Sequence, residues 1–138
     1  MAIKDVEDLR IYQLALELLP RVYRLTTIVE REDRENGKNL RKTAAQIAPV
    51  IAEGFAKKQS VAEFTRYLGM AVGSSDEIVT HLKQTKLICK FVDTSECDFL
   101  IEEYRSLSRQ IMVTIQLSDG PNPSSDYLTS VLWTVADG

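Results

Sequence analysis

An all-α fold, an antiparallel up-down four-helix bundle carrying an extended C-terminal tail, is what the sequence predicts. Three observations point there. Apolar residues recur at spacings of three and four along four separate stretches, the period of a helix with one buried face. Six glycines and four prolines are too few for a disordered or sandwich-like chain. The 138 residues suffice for one domain with its own core. The bundle is assigned to residues 1–120 and the tail to 121–138.

Asp5 or Asp8 can cap the first helix, because a short carboxylate accepts from free backbone N–H groups. The helix is expected to run to about Val29. Two apolar stripes lie on it. Leu9, Tyr12, Leu16, Leu19 and Tyr23 form one; Leu14, Leu18, Val22, Leu25 and Val29 form the other. A single stripe is enough to face a core. The second therefore needs another cover, and Leu14, Leu18, Val22 and Leu25 are assigned to contact between subunits. Pro20 cannot donate to the Leu16 carbonyl, which predicts a kink.

Glu30 to Gly37 reads as a charged loop closed by a turn at Asn36-Gly37. A central helix, Lys38 to Phe55, follows. It carries Leu40, Ala44, Ile47, Ile51 and Phe55 on one face and Ala45, Ala48 and Ala52 on another, with Pro49 expected to bend it. Ala56 to Gln59 is a short linker, so the third helix should return beside the second. Ser60 and Glu63 have capping-box spacing. Phe64, Leu68, Ala71, Ser75, Ile78 and Leu82 form the third seam. Gly69 and Gly73 within this helix suggest a notch where another helix presses in. A turn at Phe91–Asp93 leads to a fourth helix, capped by Thr94 or Ser95, with a seam of Cys97, Ile101, Tyr104, Ser108, Ile111 and Ile115. Gly120-Pro121 stops it. In the tail, Tyr127 to Val135 is apolar, and Leu132 or Trp133 is expected to dock on a bundle groove or a neighbouring subunit.

Catalytic chemistry has few candidates. His81 is the sole histidine and position 78 is Ile, so a bundle-core metal pair built on Glu-x-x-His motifs is excluded. Gly37-Lys38 lacks the remainder of a phosphate-binding loop. Cys89 and Cys97 form no CxxC pair and read as free thiols of a reducing compartment. No metal, cofactor or catalytic residue is assigned, and the expectation is a protein that is not an enzyme. The start is too charged for a signal peptide and no run is long enough to span a membrane, so a cytoplasmic location is expected.

The net charge of −3 argues against non-specific attraction to nucleic acid or anionic membrane. One basic stretch runs against it. Lys38, Arg41, Lys42, Lys57 and Lys58 stand within 21 residues that hold only Glu53 as an acid. They are the candidate contacts for a nucleic acid or another partner.

These residues resemble the four-helix-bundle family named for the intervening sequences of 23S ribosomal RNA genes. The resemblance covers roughly Val6 to Leu117. It rests on Asp8-Leu9 with Tyr12 and Ala15, on Val22 to Thr26, on Ile51-Ala52-Glu53-Gly54, and on Glu63-Phe64 with Tyr67-Leu68, Ala71, Gly73-Ser74 and Glu77. It implies a bundle that commonly forms a ring-shaped homopentamer with no established enzymatic activity. It also implies kinship with the accessory protein of diversity-generating retroelements, a basic pentamer that binds reverse transcriptase and nucleic acid. The family's Ser and Asn before Ile-Ala-Glu-Gly are Gln46 and Val50 here, and its proline is displaced by one to Pro49. The resulting expectation is a homo-oligomeric assembly or interaction module. Nucleic-acid binding through the basic face is an alternative, and a small-ligand or enzymatic site between subunits is another.

Overall fold

The computed structural model describes residues 3–119. The expected docking of Leu132 and Trp133 lies outside the described residues. Four helices follow a single 3-10 turn at Val6–Asp8: α1 (Arg10–Glu32), α2 (Arg34–Ala56), α3 (Val61–Ile88) and α4 (Thr94–Ser118). They pack as a four-helix bundle, each against the next in sequence and α1 also against α4.

Asp5 and Asp8 serve the short turn and not α1. The Asp8 carboxylate accepts from the Lys4 and Asp5 N–H groups at 2.9 and 3.1 Å, and the first of these contacts is the main reason its pKa is lowered. Leu9, extended and without a side-chain cap, starts α1. The helix continues through Pro20, which is exposed, so the carbonyl that proline leaves unbonded can meet water. Pro49 sits on the outer side of α2 in the same way.

The expected loop at Glu30–Gly37 collapses to one residue. Asp33 alone is non-helical between α1 and α2, and its carboxylate accepts from the Asn36 N–H at 3.1 Å. The Asn36-Gly37 pair is therefore helical. Asn36 is buried and donates to Thr85 of α3 at 2.7 Å. A Cβ on Gly37 would fall 2.5 Å from Glu30 Cγ, so this glycine lets the two helices diverge from Asp33 in close contact. Glu32, the last residue of α1, accepts the N–H groups of Lys90 and Phe91 at 2.8 and 3.0 Å. The connection between α3 and α4 is thereby fastened to the end of α1.

Ser60 caps α3, accepting from the Glu63 N–H at 3.2 Å. The reciprocal half of the box is absent, because the Glu63 carboxylate takes Arg66 instead, at 3.0 and 3.2 Å. Asp93, not Thr94 or Ser95, caps α4, accepting the Ser95 N–H at 2.9 Å.

The seams on α2 and α3 are buried as their spacing predicts, and on α4 all but Ile115 are fully buried. Ser75 and Ser108 keep polar atoms satisfied inside the α3–α4 contact. Ser75 donates to the Tyr104 carbonyl at 2.9 Å, and Ser108 donates to Asp76 at 2.7 Å.

On α1 the assignment of the stripes is reversed. Leu14, Leu18, Val22 and Leu25 are at most 4% exposed within the subunit, so they are core and cannot be the surface of an assembly. Of the other stripe, Leu16 and Tyr23 are 44% and 41% exposed, Tyr12 and Leu19 are partly buried against the core, and Leu9 belongs to the core. The glycines of α3 also differ from expectation. A Cβ on Gly69 or Gly73 would meet nothing within 4 Å, so no helix of the subunit fills a notch there. Alanine at each should stabilise the isolated subunit by about 1 kcal/mol, the propensity difference in an exposed helix interior. Urea unfolding of Gly69→Ala and Gly73→Ala measures this, and a loss of stability in either would contradict an open α3 face.

Candidate functional site

The five basic residues do not form one patch. Lys42 and Lys57 are fifteen residues apart on or just past α2, which at helical rise is roughly 22 Å. Lys38 and Lys42 are exposed and make no ion pair among the described residues. Arg41 is committed to α1. Its Nε and Nη2 donate to Thr26 Oγ1 at 3.2 and 3.0 Å, its Nη1 lies 3.6 Å from Glu30, and its guanidinium sits 4.8 Å from the centre of the Tyr23 ring. Lys58 lies over the Phe55 ring at 4.2 Å.

Lys57 belongs to a second cluster, where α2 gives way to α3. Its ammonium donates to the Tyr67 hydroxyl at 2.8 Å and is 3.7 Å from Glu53. Tyr67 in turn donates to Glu53 at 3.1 Å. The hydrogen bond to Tyr67 is the main cause raising the Lys57 pKa. Arg66, held by Glu63, lies 4.6 Å over the Tyr67 ring. Gly54 makes the cluster fit, since a Cβ there would stand 2.7 Å from the Cβ of Tyr67. The sequence pattern does not single out Tyr67 as the centre of this cluster. The available signal was Gly54 facing an aromatic on the following helix across a short linker.

A third arrangement joins α1 to α4. Arg21 makes a two-point contact with Glu96, Nε at 2.9 Å and Nη2 at 2.8 Å, while its guanidinium lies 3.9 Å over the Phe99 ring. Next to it is an open groove of about 380 Å³ lined by Arg21, Arg24, Leu25, Ile28, Asp93 and Glu96. Arg21 is the largest cause of the lowered Glu96 pKa. A carboxylate depressed in the folded state contributes stability that is present above its unfolded pKa and disappears as pH falls through the folded value. Arg21→Met should therefore be less stable than the parent chain above about pH 5, with the gap closing in more acid solution. Both side chains are about one-third exposed, so solvent screening keeps the gap small. Urea unfolding of the two chains at several pH values gives the comparison, and a pH-independent gap would deny the linkage.

His81 is half-buried at the boundary of α3, with Nε2 3.4 Å from Glu77. Burial raises the pKa of both thiols, that of Cys97 to about 11, which keeps them protonated and poorly nucleophilic. Among the described residues, no helix is long and apolar enough to cross a membrane.

On the outer side of α1, Leu19, Pro20 and Tyr23 line an apolar hollow of about 240 Å³. Leu16, Pro20 and Tyr23 are exposed there, while Leu19 is partly buried and packs against the core.

Comparison with protein families finds one whose model, described as 23S rRNA-intervening sequence protein, matches residues 7–113. No curated protein and no solved structure matches the chain.

Proposed function

Since the chain belongs to the 23S rRNA-intervening sequence protein family, we propose that it acts without catalysing a reaction, as a cytoplasmic homo-oligomeric interaction module. Its subunit is an antiparallel up-down bundle. Paired contacts support that direction. Glu30 meets Gly37 while Thr26 meets Arg41; Asn36 meets Thr85 while Gly54 meets Tyr67; Ser75 meets Tyr104 while Lys86 meets Asp98. In each pair of helices, numbers rise on one as they fall on the other.

The outward stripe of α1 carries the reading. Leu16, Pro20 and Tyr23 offer water a largely apolar face, with a hollow between Leu19, Pro20 and Tyr23. A hollow of this kind accepts a different surface of the next subunit, and such a heterologous contact yields a closed ring when its rotation closes. A ring of five is the assembly favoured by the resemblance, at about 78 kDa for a 15.6 kDa chain. Light scattering at micromolar protein tests it. One subunit's mass would refute assembly, and a dimer or tetramer would refute the number five alone.

Nucleic-acid binding is the less favoured reading. Arg41 is engaged, the remaining bases stand at two separated places, and five chains at −3 each would carry about −15.

A further inference from the structure

The end of the bundle where α3 passes to α4 carries the most exposed large apolar side chains among the described residues, Leu87 at 86% and Phe91 at 79%. They are presented by a fixed connection. Cys89 before Phe91 and Val92 after it are buried. The Phe91 N–H donates to Glu32 at 3.0 Å, and Asp93 caps α4 directly beyond. An apolar ring held this far out of its own subunit marks a contact surface. Its surroundings select no charged partner, since Lys83, Lys86 and Lys90 are matched by Glu32, Asp93 and Asp98. The apolar groups decide what binds there.

We infer that Phe91 of one subunit enters the hollow between Leu19, Pro20 and Tyr23 of a second copy, with Leu87 packing at the rim. The inference rests on the assembly proposed above and names the two surfaces that meet in it. The first argument is size. The hollow measures about 240 Å³, and a cavity of about 150 Å³ already accepts benzene, so a phenyl ring has room. The second is chemistry. Leu19, Pro20 and Tyr23 bring no charge to the lining, and Phe91 brings none to the hollow. The third is projection. Every other exposed large apolar side chain outside this end is at most 48% exposed and lies within a helix, level with its neighbours. Such a residue can cover a hollow but cannot fill it. The fourth is reach. Glu32 keeps Phe91 at the end of α1, twelve residues from Pro20, which is roughly 18 Å along the helix. No side chain spans that distance, so the ring that fills the hollow comes from another copy. Knob and hollow are different surfaces of one chain. Each subunit therefore gives one and receives one, as a closed ring requires.

Light scattering of the full chain at micromolar concentration, beside the variant Leu87→Ser with Phe91→Ser, gives the first measurement. The parent should assemble. The variant should have the mass of one subunit and keep its helical circular dichroism, because both side chains already stand in water in the subunit. A cross-link gives the second. Lys90 adjoins Phe91, and Glu17 lies one turn before Pro20; both are exposed. A chain carrying Lys90→Cys and Glu17→Cys, treated with a short bismaleimide, should be joined into covalent oligomers, and either substitution alone should not. Cys89 and Cys97 are buried and do not compete. A parent of one subunit's mass would overturn the assembly and this contact with it. A parent that assembles while the serine variant keeps the same mass would overturn this contact and leave the assembly standing. Cross-linking by Lys90→Cys alone would do the same, since the end surface would then meet its own copy.

Discussion

Replacing Leu16 and Tyr23 together by glutamate should break the proposed assembly into folded subunits of 15.6 kDa. Both residues are exposed in the subunit, so carboxylates there face water and leave the core untouched. Tyr23 loses its contact with Arg41, which at an exposed site is worth about 0.5–1 kcal/mol. In an assembly the same carboxylates would be taken out of water without a partner, at several kcal/mol for each ion. The balance falls on association and not on folding. Light scattering and circular dichroism on the same sample separate the two. An assembled double variant would place the subunit contact away from the outer face of α1. The matching change on the inner stripe, Leu18→Glu or Val22→Glu, should unfold the subunit itself.

The second large effect belongs to Gly54→Ala. The added methyl would be 2.7 Å from Tyr67 Cβ, closer than real contacts allow, and the obstacle is the root of a buried side chain that cannot swing aside. Overpacking of this kind costs about 1–3 kcal/mol. For a chain of this size that corresponds to a fall in melting temperature of roughly 3–10 °C. It should also disturb the contacts among Tyr67, Glu53 and Lys57, because Tyr67 is the residue displaced. Thermal unfolding followed by circular dichroism gives the measurement. An unchanged melting temperature would mean that α2 and α3 separate at this point without cost. The same substitution at Gly69 has the opposite expected sign, and the difference lies wholly in what stands opposite the glycine.

That contrast shows how far the sequence could be read. Spacings of three and four located all four helices, and Ser60 located the start of α3, because these signals act within a few residues along one chain. Which stripe of α1 faces inward was not legible. Both stripes are apolar, and periodicity gives their relative angle but not which one meets the neighbouring helices. The outward turn of Arg21 toward Glu96 and Phe99 fixes that rotation, and it depends on α4, some 75 residues away. Glycines posed the same difficulty. Gly37 and Gly54 permit close approach, while Gly69 and Gly73 face open space. The basic residues were legible as a cluster in sequence. Their division into an exposed pair, Lys38 and Lys42, and a braced set depended on Thr26, Glu30 and Tyr67 across the helix contacts.

The one-residue break at Asp33 bears on where this chain can accept new sequence. A surface connection is ordinarily the place to insert a tag or a binding peptide. Between α1 and α2 there is no slack to absorb one. One extra residue carried into the start of α2 would turn that helix by about 100° and advance it by about 1.5 Å. Leu40, Ile47 and Ile51 would then leave the core together, and Gly37 would lose its place against Glu30. The stretch from Lys57 to Ser60, four residues between the ends of α2 and α3, has room to bulge outward on the Gln59 side while Ser60 keeps its cap. Of two exposed connections in one hairpin-built molecule, the first acts as a ruler and the second as a splice point.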